Sequence, residues 1–216
     1  MSQFVDVNQN IVWDQTMLNK YNHSGPRYTS YPTALELHQA FTVAEYDMAC
    51  TQYPERALSL YIHIPFCHKL CYYCGCNKVV TRHSHKADEY LDALELEIRT
   101  RAALLQGRRV NQLHFGGGTP TFLSQAQISR IMGVLRHEFD FDLDAELSIE
   151  IDPRDLPIAK IDHLRREGFN RLSIGVQDFN KDVQKAVNRE QDEAHIVALV
   201  KRAEDLNFRS TNLDLN

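Results

Sequence analysis

The stretch that decides the architecture is Leu58-Ser59-Leu60-Tyr61-Ile62-His63-Ile64-Pro65-Phe66-Cys67-His68-Lys69-Leu70-Cys71-Tyr72-Tyr73-Cys74-Gly75-Cys76. Its first half alternates. In an extended chain Leu58, Leu60, Ile62 and Ile64 share one face, while Ser59, Tyr61 and His63 share the other. Its second half holds four cysteines within ten residues. A strand therefore leads directly into a thiol-rich loop.

Four segments downstream repeat the pattern: Val110–Phe115, Ala145–Ile151, Arg171–Phe179 and Ser210–Leu215. Leu113 and Phe115 oppose Gln112 and His114. Leu147, Ile149 and Ile151 oppose Glu146, Ser148 and Glu150. Leu172, Ile174 and Val176 oppose Ser173, Gly175 and Gln177, and Thr211, Leu213 and Leu215 oppose Asn212 and Asp214. Helical periods lie between them, through Ala87, Leu91, Leu94, Ile98, Ala102 and Leu105, then Ile128, Ile131, Leu135 and Phe139. A further helix over Glu193–Leu206 places Ile196, Leu199, Val200 and Ala203 on one face. Ser124 with Gln127 reads as a capping box, and Gly168 as a helix stop.

Strands alternating with helices predict a parallel sheet. A doubly wound sheet is covered on both faces, so its strands read as nearly continuous apolar runs. Here each strand has one apolar and one polar face. That predicts an α/β fold with helices on one side only, a partial (β/α) barrel around the polar face; a sheet with one solvated face is the alternative. In such barrels chemistry sits at the C-terminal strand ends, where Glu150, Gln177 and Asp214 fall on the polar face.

Composition narrows the function. With 43% hydrophobic and 25% charged residues and a formal charge of -5, the chain reads as an ordinary globular protein with no call for nucleic acid or an anionic membrane. No apolar run approaches the roughly 20 residues of a membrane span, and Met1–Asp6 has no signal-peptide character. The expected location is cytoplasmic. In a reducing cytosol clustered cysteines more often bind metal than form disulfides. Cys67, Cys71 and Cys74, with three and two intervening residues, can present three thiolates to a 4Fe-4S cluster and leave one iron open. A zinc site using all four cysteines is the alternative. Cys50 stands apart and reads as a small buried hydrophobe. Residues 1–50 show no strong period and include a Gly- and Pro-containing stretch from Tyr21 to Thr33, so an irregular N-terminal segment is expected ahead of a barrel spanning 51–216.

Cys67-x-x-x-Cys71-x-x-Cys74 on the loop after a first barrel strand resembles the signature of the radical S-adenosylmethionine superfamily. The resemblance implies that S-adenosyl-L-methionine chelates the open iron and yields a 5′-deoxyadenosyl radical. It also implies site residues. Gly117, Gly118 and Thr119, in Gly116-Gly117-Gly118-Thr119-Pro120, would contact the methionyl part, and Glu150 the ribose. Gln177, Arg189 and Asp214 match further cofactor positions, Tyr61 one near the cluster, and Tyr73 the aromatic position against the adenine. His63 and His114 receive no role.

Within that superfamily, residues 61–77 and the stretch Tyr21–Thr33 resemble the oxygen-independent coproporphyrinogen III oxidases. Cys76 and the N-terminal stretch distinguish them from haem-chaperone relatives, which remain the alternative as haem binders. The family resemblance implies oxidative decarboxylation of two propionates of coproporphyrinogen III to vinyl groups, a low-potential electron donor, and a monomer. It places residues 1–50 near the barrel mouth and ends this chain inside the fifth strand, from which poor activity of the isolated chain is expected. Arg27 is a candidate to pair bidentately with a substrate propionate. Arg27→Ala is expected to weaken substrate affinity; unchanged affinity and turnover would remove the assignment.

Overall fold

The five expected strands form one parallel sheet. The computed structural model describes residues 14–22, 33–154 and 156–215, so Arg27 and most of the Tyr21–Thr33 stretch lie outside the described residues. The chain divides into two compact units, Met1–Val43 and Ala44–Asn216. The elements in order are α1 (Gln15–Tyr21), α2 (Val43–Thr51), β1 (Leu58–Ile64), β2 (Phe66–Cys67), β3 (Val79–Val80), α3 (Lys86–Leu104) and β4 (Arg109–Gly117). There follow α4 (Gln125–Glu138), β5 (Asp140–Ile151), α5 (Ile158–Arg166), β6 (Arg171–Gln177), α6 (Lys181–Ala186), α7 (Glu193–Asp205) and β7 (Ser210–Leu215).

The sheet order is β1-β4-β5-β6-β7, every pair parallel. Each strand lies beside the next in sequence, so the sheet winds one way and has no reversal of the doubly wound kind. Its apolar face and the helices form a single core. Ile62, Leu113, Phe115, Ile149, Leu172 and Ile174 meet Leu91 and Leu94 of α3, Ile128, Ile131 and Leu135 of α4, Leu164 of α5 and Leu199 of α7. Phe115 and Phe169 pack edge to face at 5.3 Å in its centre. The partial (β/α) barrel follows from the alternation read in the sequence.

Local signals act as expected at two helix ends. Ser124 Oγ accepts from the Gln127 N–H (3.2 Å) while Gln127 Oε1 accepts from the Ser124 N–H (2.9 Å), closing a capping box on α4. Gly168 takes φ +86°, a left-handed conformation that stops α5 and turns Phe169 into the core.

Other expectations are corrected. The N-terminal segment is not wholly irregular, since it contains α1 and leads into α2. Neither helix buries a residue, so neither carries a period that a sequence could reveal; α1 begins where Asp14 accepts from the Thr16 and Met17 N–H groups. Cys50 is only half-buried, at the end of α2, where its carbonyl accepts from Arg108 Nη1 (2.7 Å). β5 starts at Asp140 rather than Ala145, because Phe141 pairs with Val110 and Asp142 accepts from Arg109 Nε (2.5 Å). Leu213 and Leu215 of β7 stay exposed rather than joining the apolar face, at the edge of the sheet. Among the described residues no helix is long and apolar enough to cross a membrane.

A buried lysine fastens the turn that follows the glycine run. Lys160 Nζ of α5 donates to the Thr121 carbonyl (2.6 Å) and to the Leu123 carbonyl. Burial pushes its ammonium down to about 8. Below that value the charge is carried into the fold at full desolvation cost. As pH rises from about 8 towards the ordinary lysine value near ~10.4, the unfolded chain holds more protons than the folded one, so stability rises. Urea unfolding between pH 7.5 and 10 is expected to show this rise, and Lys160→Met to flatten it; an equal slope in both proteins would contradict the assignment.

Candidate active site

The polar face of the sheet and the cysteine loop meet at the C-terminal strand ends. β2 and β3 pin the loop at its base, pairing Phe66 with Val79 and Cys67 with Val80. The Val79 N–H donates to the Pro65 carbonyl (2.7 Å) and the Thr81 N–H to the Cys67 carbonyl (2.9 Å). Lys78 Nζ donates to the Cys74 carbonyl (2.8 Å). From the far side, the Tyr72 N–H donates to the Val187 carbonyl (3.1 Å) and Asn188 Nδ2 to the Leu70 carbonyl (2.7 Å). Both ends and the middle of the loop are thus tied to the barrel.

One pocket receives these elements. Cys67, Cys71, Cys74, Cys76 and Tyr73 line it from the loop, Gly117, Gly118 and Thr119 from the end of β4, Glu150 from β5, Gln177 from β6, and Arg189 and Asp214 from beyond. These are the residues that the sequence had singled out, brought together from across the chain. Tyr61 is not among the lining residues. It stands on the inner face beside the pocket, its ring stacked on His114 (5.8 Å between centroids) and its hydroxyl hydrogen-bonded with His63 Nδ1 (3.0 Å).

The backbone at Gly118 comes close to the loop. A Cβ there would lie 2.6 Å from the Pro65 carbonyl oxygen and 2.9 Å from Cys67 Sγ, so only glycine fits. The Gly118 N–H donates to the Ile64 carbonyl (2.8 Å), locking the end of β4 onto β1. Glu150 Oε2 accepts from the Gly117 N–H (3.1 Å), while Oε1 faces His114 Nε2 at 3.4 Å; His114 Nδ1 in turn bonds Ser148 Oγ (2.7 Å). His63 and His114, left without a role by the sequence, thus orient Tyr61 and Glu150. Asp214 accepts from Ser173 Oγ (3.0 Å) and Asn212 Nδ2 (2.6 Å).

Two guanidinium groups reach one thiol in particular: Cys71 Sγ accepts from Arg189 Nη1 (3.1 Å) and Arg154 Nη2 (3.3 Å). Cys67 Sγ accepts from Thr119 Oγ1 at 3.4 Å. Burial pushes the Cys67 thiol up, with the Thr119 hydrogen bond pulling the other way. Cys76 is also raised, by burial and then by its contact with Cys74. Tyr73 is pushed up to about 12, chiefly by burial. Burial pushes Tyr61 up as well, helped by the charges of Glu150 and Cys76.

Asp152 and Arg154 are the site residues that the sequence reading missed. They follow Glu150 in Glu150-Ile151-Asp152-Pro153-Arg154, so two opposite charges at a strand end were the available signal. Nothing in the sequence tells that they turn inward. Arg154 grips Asp152 through Nε (3.0 Å) and Nη2 (2.6 Å), and Arg189 Nη1 approaches the same carboxylate at 3.5 Å. Burial alone would raise Asp152, but the Arg154 hydrogen bonds and the charges of Arg189 and Arg154 hold it below the usual carboxylate range. Its contribution to stability is therefore complete above the ordinary value near ~4 and fades as pH falls through the lowered one. Asp152→Asn leaves two guanidinium groups buried without their counter-charge. It is expected to destabilise the chain by about 3–5 kcal/mol in anaerobic urea unfolding; a loss under about 1 kcal/mol would show the cluster of charges to be dispensable.

The donor chemistry fits an iron–sulfur cluster, since several cysteine thiols line the walls of one pocket. Among the described residues no three His, Cys, Asp or Glu side chains converge on a single metal-ion position.

Comparison with known proteins agrees with this geometry. The profile of the radical S-adenosylmethionine superfamily matches residues 61–215. The oxygen-independent coproporphyrinogen III oxidase of Salmonella typhimurium is 65% identical over 207 residues, covering 96% of this chain and 45% of the relative. The protein of the same name from Mannheimia haemolytica is 62% identical over 143 residues, covering 66% of this chain and 98% of the relative. Among solved structures, the Escherichia coli coproporphyrinogen III oxidase, described as a radical S-adenosylmethionine enzyme, superposes with a TM-score of 0.87 at 62% identity, over 96% of this chain and 46% of that one. A radical S-adenosylmethionine methyltransferase from Kitasatospora setae, 15% identical with a TM-score of 0.50, shares the fold. The chain spans about half the length of most of the curated relatives that it matches. With its cysteine spacing, its one-way parallel sheet and these matches, the chain belongs to the radical S-adenosylmethionine superfamily and, within it, to the family of the oxygen-independent coproporphyrinogen III oxidases.

Proposed function

We propose that this chain is the cofactor-holding part of an enzyme that decarboxylates two propionates of coproporphyrinogen III to vinyl groups, giving protoporphyrinogen IX in oxygen-independent haem formation. One observation carries the reading: a single pocket at the strand ends joins three loop cysteines to a glycine floor and a ring of polar residues from successive strands. Cys67, Cys71 and Cys74 are the cluster ligands in this reading, and Cys76 stays outside the ligand set, beside Cys74. With a 4Fe-4S cluster and S-adenosyl-L-methionine bound, the site supplies one-electron cleavage of the sulfonium and a carbon radical able to take a propionate β-hydrogen.

The chain's own residues position and shield. Gly117, Gly118 and Thr119 let a methionyl group come close to the backbone, because no side chain intervenes at the glycines. Glu150, steadied by His114 and the Gly117 N–H, has its carboxylate available to ribose hydroxyls. Tyr73 offers an aromatic face to the adenine, while Gln177, Arg189, Asp214 and Tyr61 complete the enclosure. Arg189 and Arg154 offset the negative charge that thiolates bring. In the same reading Arg27, outside the described residues, pairs with a substrate propionate, and the protein works as a cytoplasmic monomer served by a low-potential electron donor.

Anaerobic cluster reconstitution followed by paramagnetic resonance of the reduced protein tests this. The expected result is a four-iron signal that shifts on addition of S-adenosyl-L-methionine and is absent after Cys67→Ser, Cys71→Ser or Cys74→Ser, but not after Cys76→Ser. Tightly held zinc with no sulfide would refute it. Conversion of coproporphyrinogen III by the full-length protein, lost in the same three variants, is the expected activity.

A further inference from the structure

A shallow depression lies beside the cysteine loop, with Leu70, Val80, Arg82 and Lys86 in its lining; Lys69 lines both this depression and the cofactor pocket. Three of its nine lining residues are Lys or Arg, and no Asp or Glu is among them. That is unusual in a chain whose 29 acidic residues outnumber 24 basic ones. Leu70 and Val80 in its lining are 42% and 46% exposed, so apolar and cationic surface lie side by side, as in transient protein interfaces.

Its position matters more than its composition. Lys69 and Leu70 lie between Cys67 and Cys71, and Val80 pairs with Cys67 through β2 and β3. Cys67 and Cys71 are themselves buried. The depression is thus one residue removed from two of the three thiols, whereas the pocket side of the same thiols is where cofactor and substrate must enter. Lys86 is the first residue of α3, where the helix dipole disfavours a cation. Asp88 and Glu89 occupy the same first turn, but Asp88 is engaged by Gln127 Nε2 (2.7 Å).

We propose that this depression is the docking surface for a one-electron carrier protein with an acidic rim around its own redox group. The proposal rests on the reading that Cys67, Cys71 and Cys74 hold a redox-active cluster. One electron leaves the reduced carrier and enters the cluster across the His68–Leu70 segment; no bond and no proton moves. Opposite charges across such an interface mainly raise the association rate, and they do so less as salt rises.

The test uses the full-length reconstituted protein and two reductants, a flavodoxin in its hydroquinone form and dithionite, which needs no docking surface. Arg82 and Lys86 are exposed and lie outside the cofactor pocket. In stopped flow, the Arg82→Glu/Lys86→Glu protein is expected to be reduced by the flavodoxin about tenfold or more slowly at low ionic strength, and to lose the salt dependence of the parent. Arg82→Gln/Lys86→Gln should fall between, and dithionite should reduce all three alike. Equal flavodoxin rates in parent and variants, with intact cluster signals, would overturn the docking surface while leaving the proposed function standing. Failure of the parent to form any reducible cluster would overturn both.

Discussion

A buried carboxylate between two guanidinium groups organises the centre of this molecule. Asp152 follows the last residue of β5, Arg154 lies two residues on, and Arg189 arrives from the turn after α6; both arginines reach past the carboxylate to Cys71 Sγ. Two positive charges and one negative leave a surplus of positive charge beside the Cys71 sulfur. The same arginines fasten backbone. Arg189 donates to the Gly175 carbonyl of β6 through Nη2 (2.6 Å), and Arg154 Nη1 to the Asn188 carbonyl (3.0 Å). The strand ends, the cysteine loop and the 187–189 turn are therefore held in one arrangement by a charge cluster that would be costly to break.

Around that cluster the sheet divides its labour by face. The apolar side of β1, β4, β5 and β6 is covered by α3, α4, α5 and α7 and supplies the hydrophobic stabilisation. The other side is left to hydrogen-bonded polar groups, such as His114 with Ser148 and Glu150, or Ser173 with Asp214. Each of these has a hydrogen-bond partner within the network. Parallel strands that all point the same way gather their C-terminal ends at one rim, so a loop leaving β1 meets side chains from β4, β5, β6 and β7.

That loop also has two sides with different chemistry. It presents thiols to a pocket floored by glycine, and on another side Leu70 lies beside Arg82 and Lys86, with Lys69 reaching both. β2 and β3 tie the loop at its base, so both sides are held in place.

Much of this was legible in the residues themselves. Alternation in Leu58–Ile64, Leu172–Gln177 and their counterparts is a local property, since the period of two follows from strand geometry alone. Ser124 with Gln127, and Gly168, speak for their own helix ends, and the spacing of Cys67, Cys71 and Cys74 is set by one short loop. Other features were not legible, because they depend on what lies across space. Helices α1 and α2 bury no face and leave no period. Lys160 looks like any surface lysine until the Thr121 and Leu123 carbonyls are found above it. Sequence alone determined the strands, their polar face and the cysteine triplet, for these are written in neighbouring residues. Only the tertiary structure decided that Asp152, Arg154 and Arg189 close around Cys71, a contact spanning 118 positions for Arg189, because long-range charge pairing is set by how the strand ends converge.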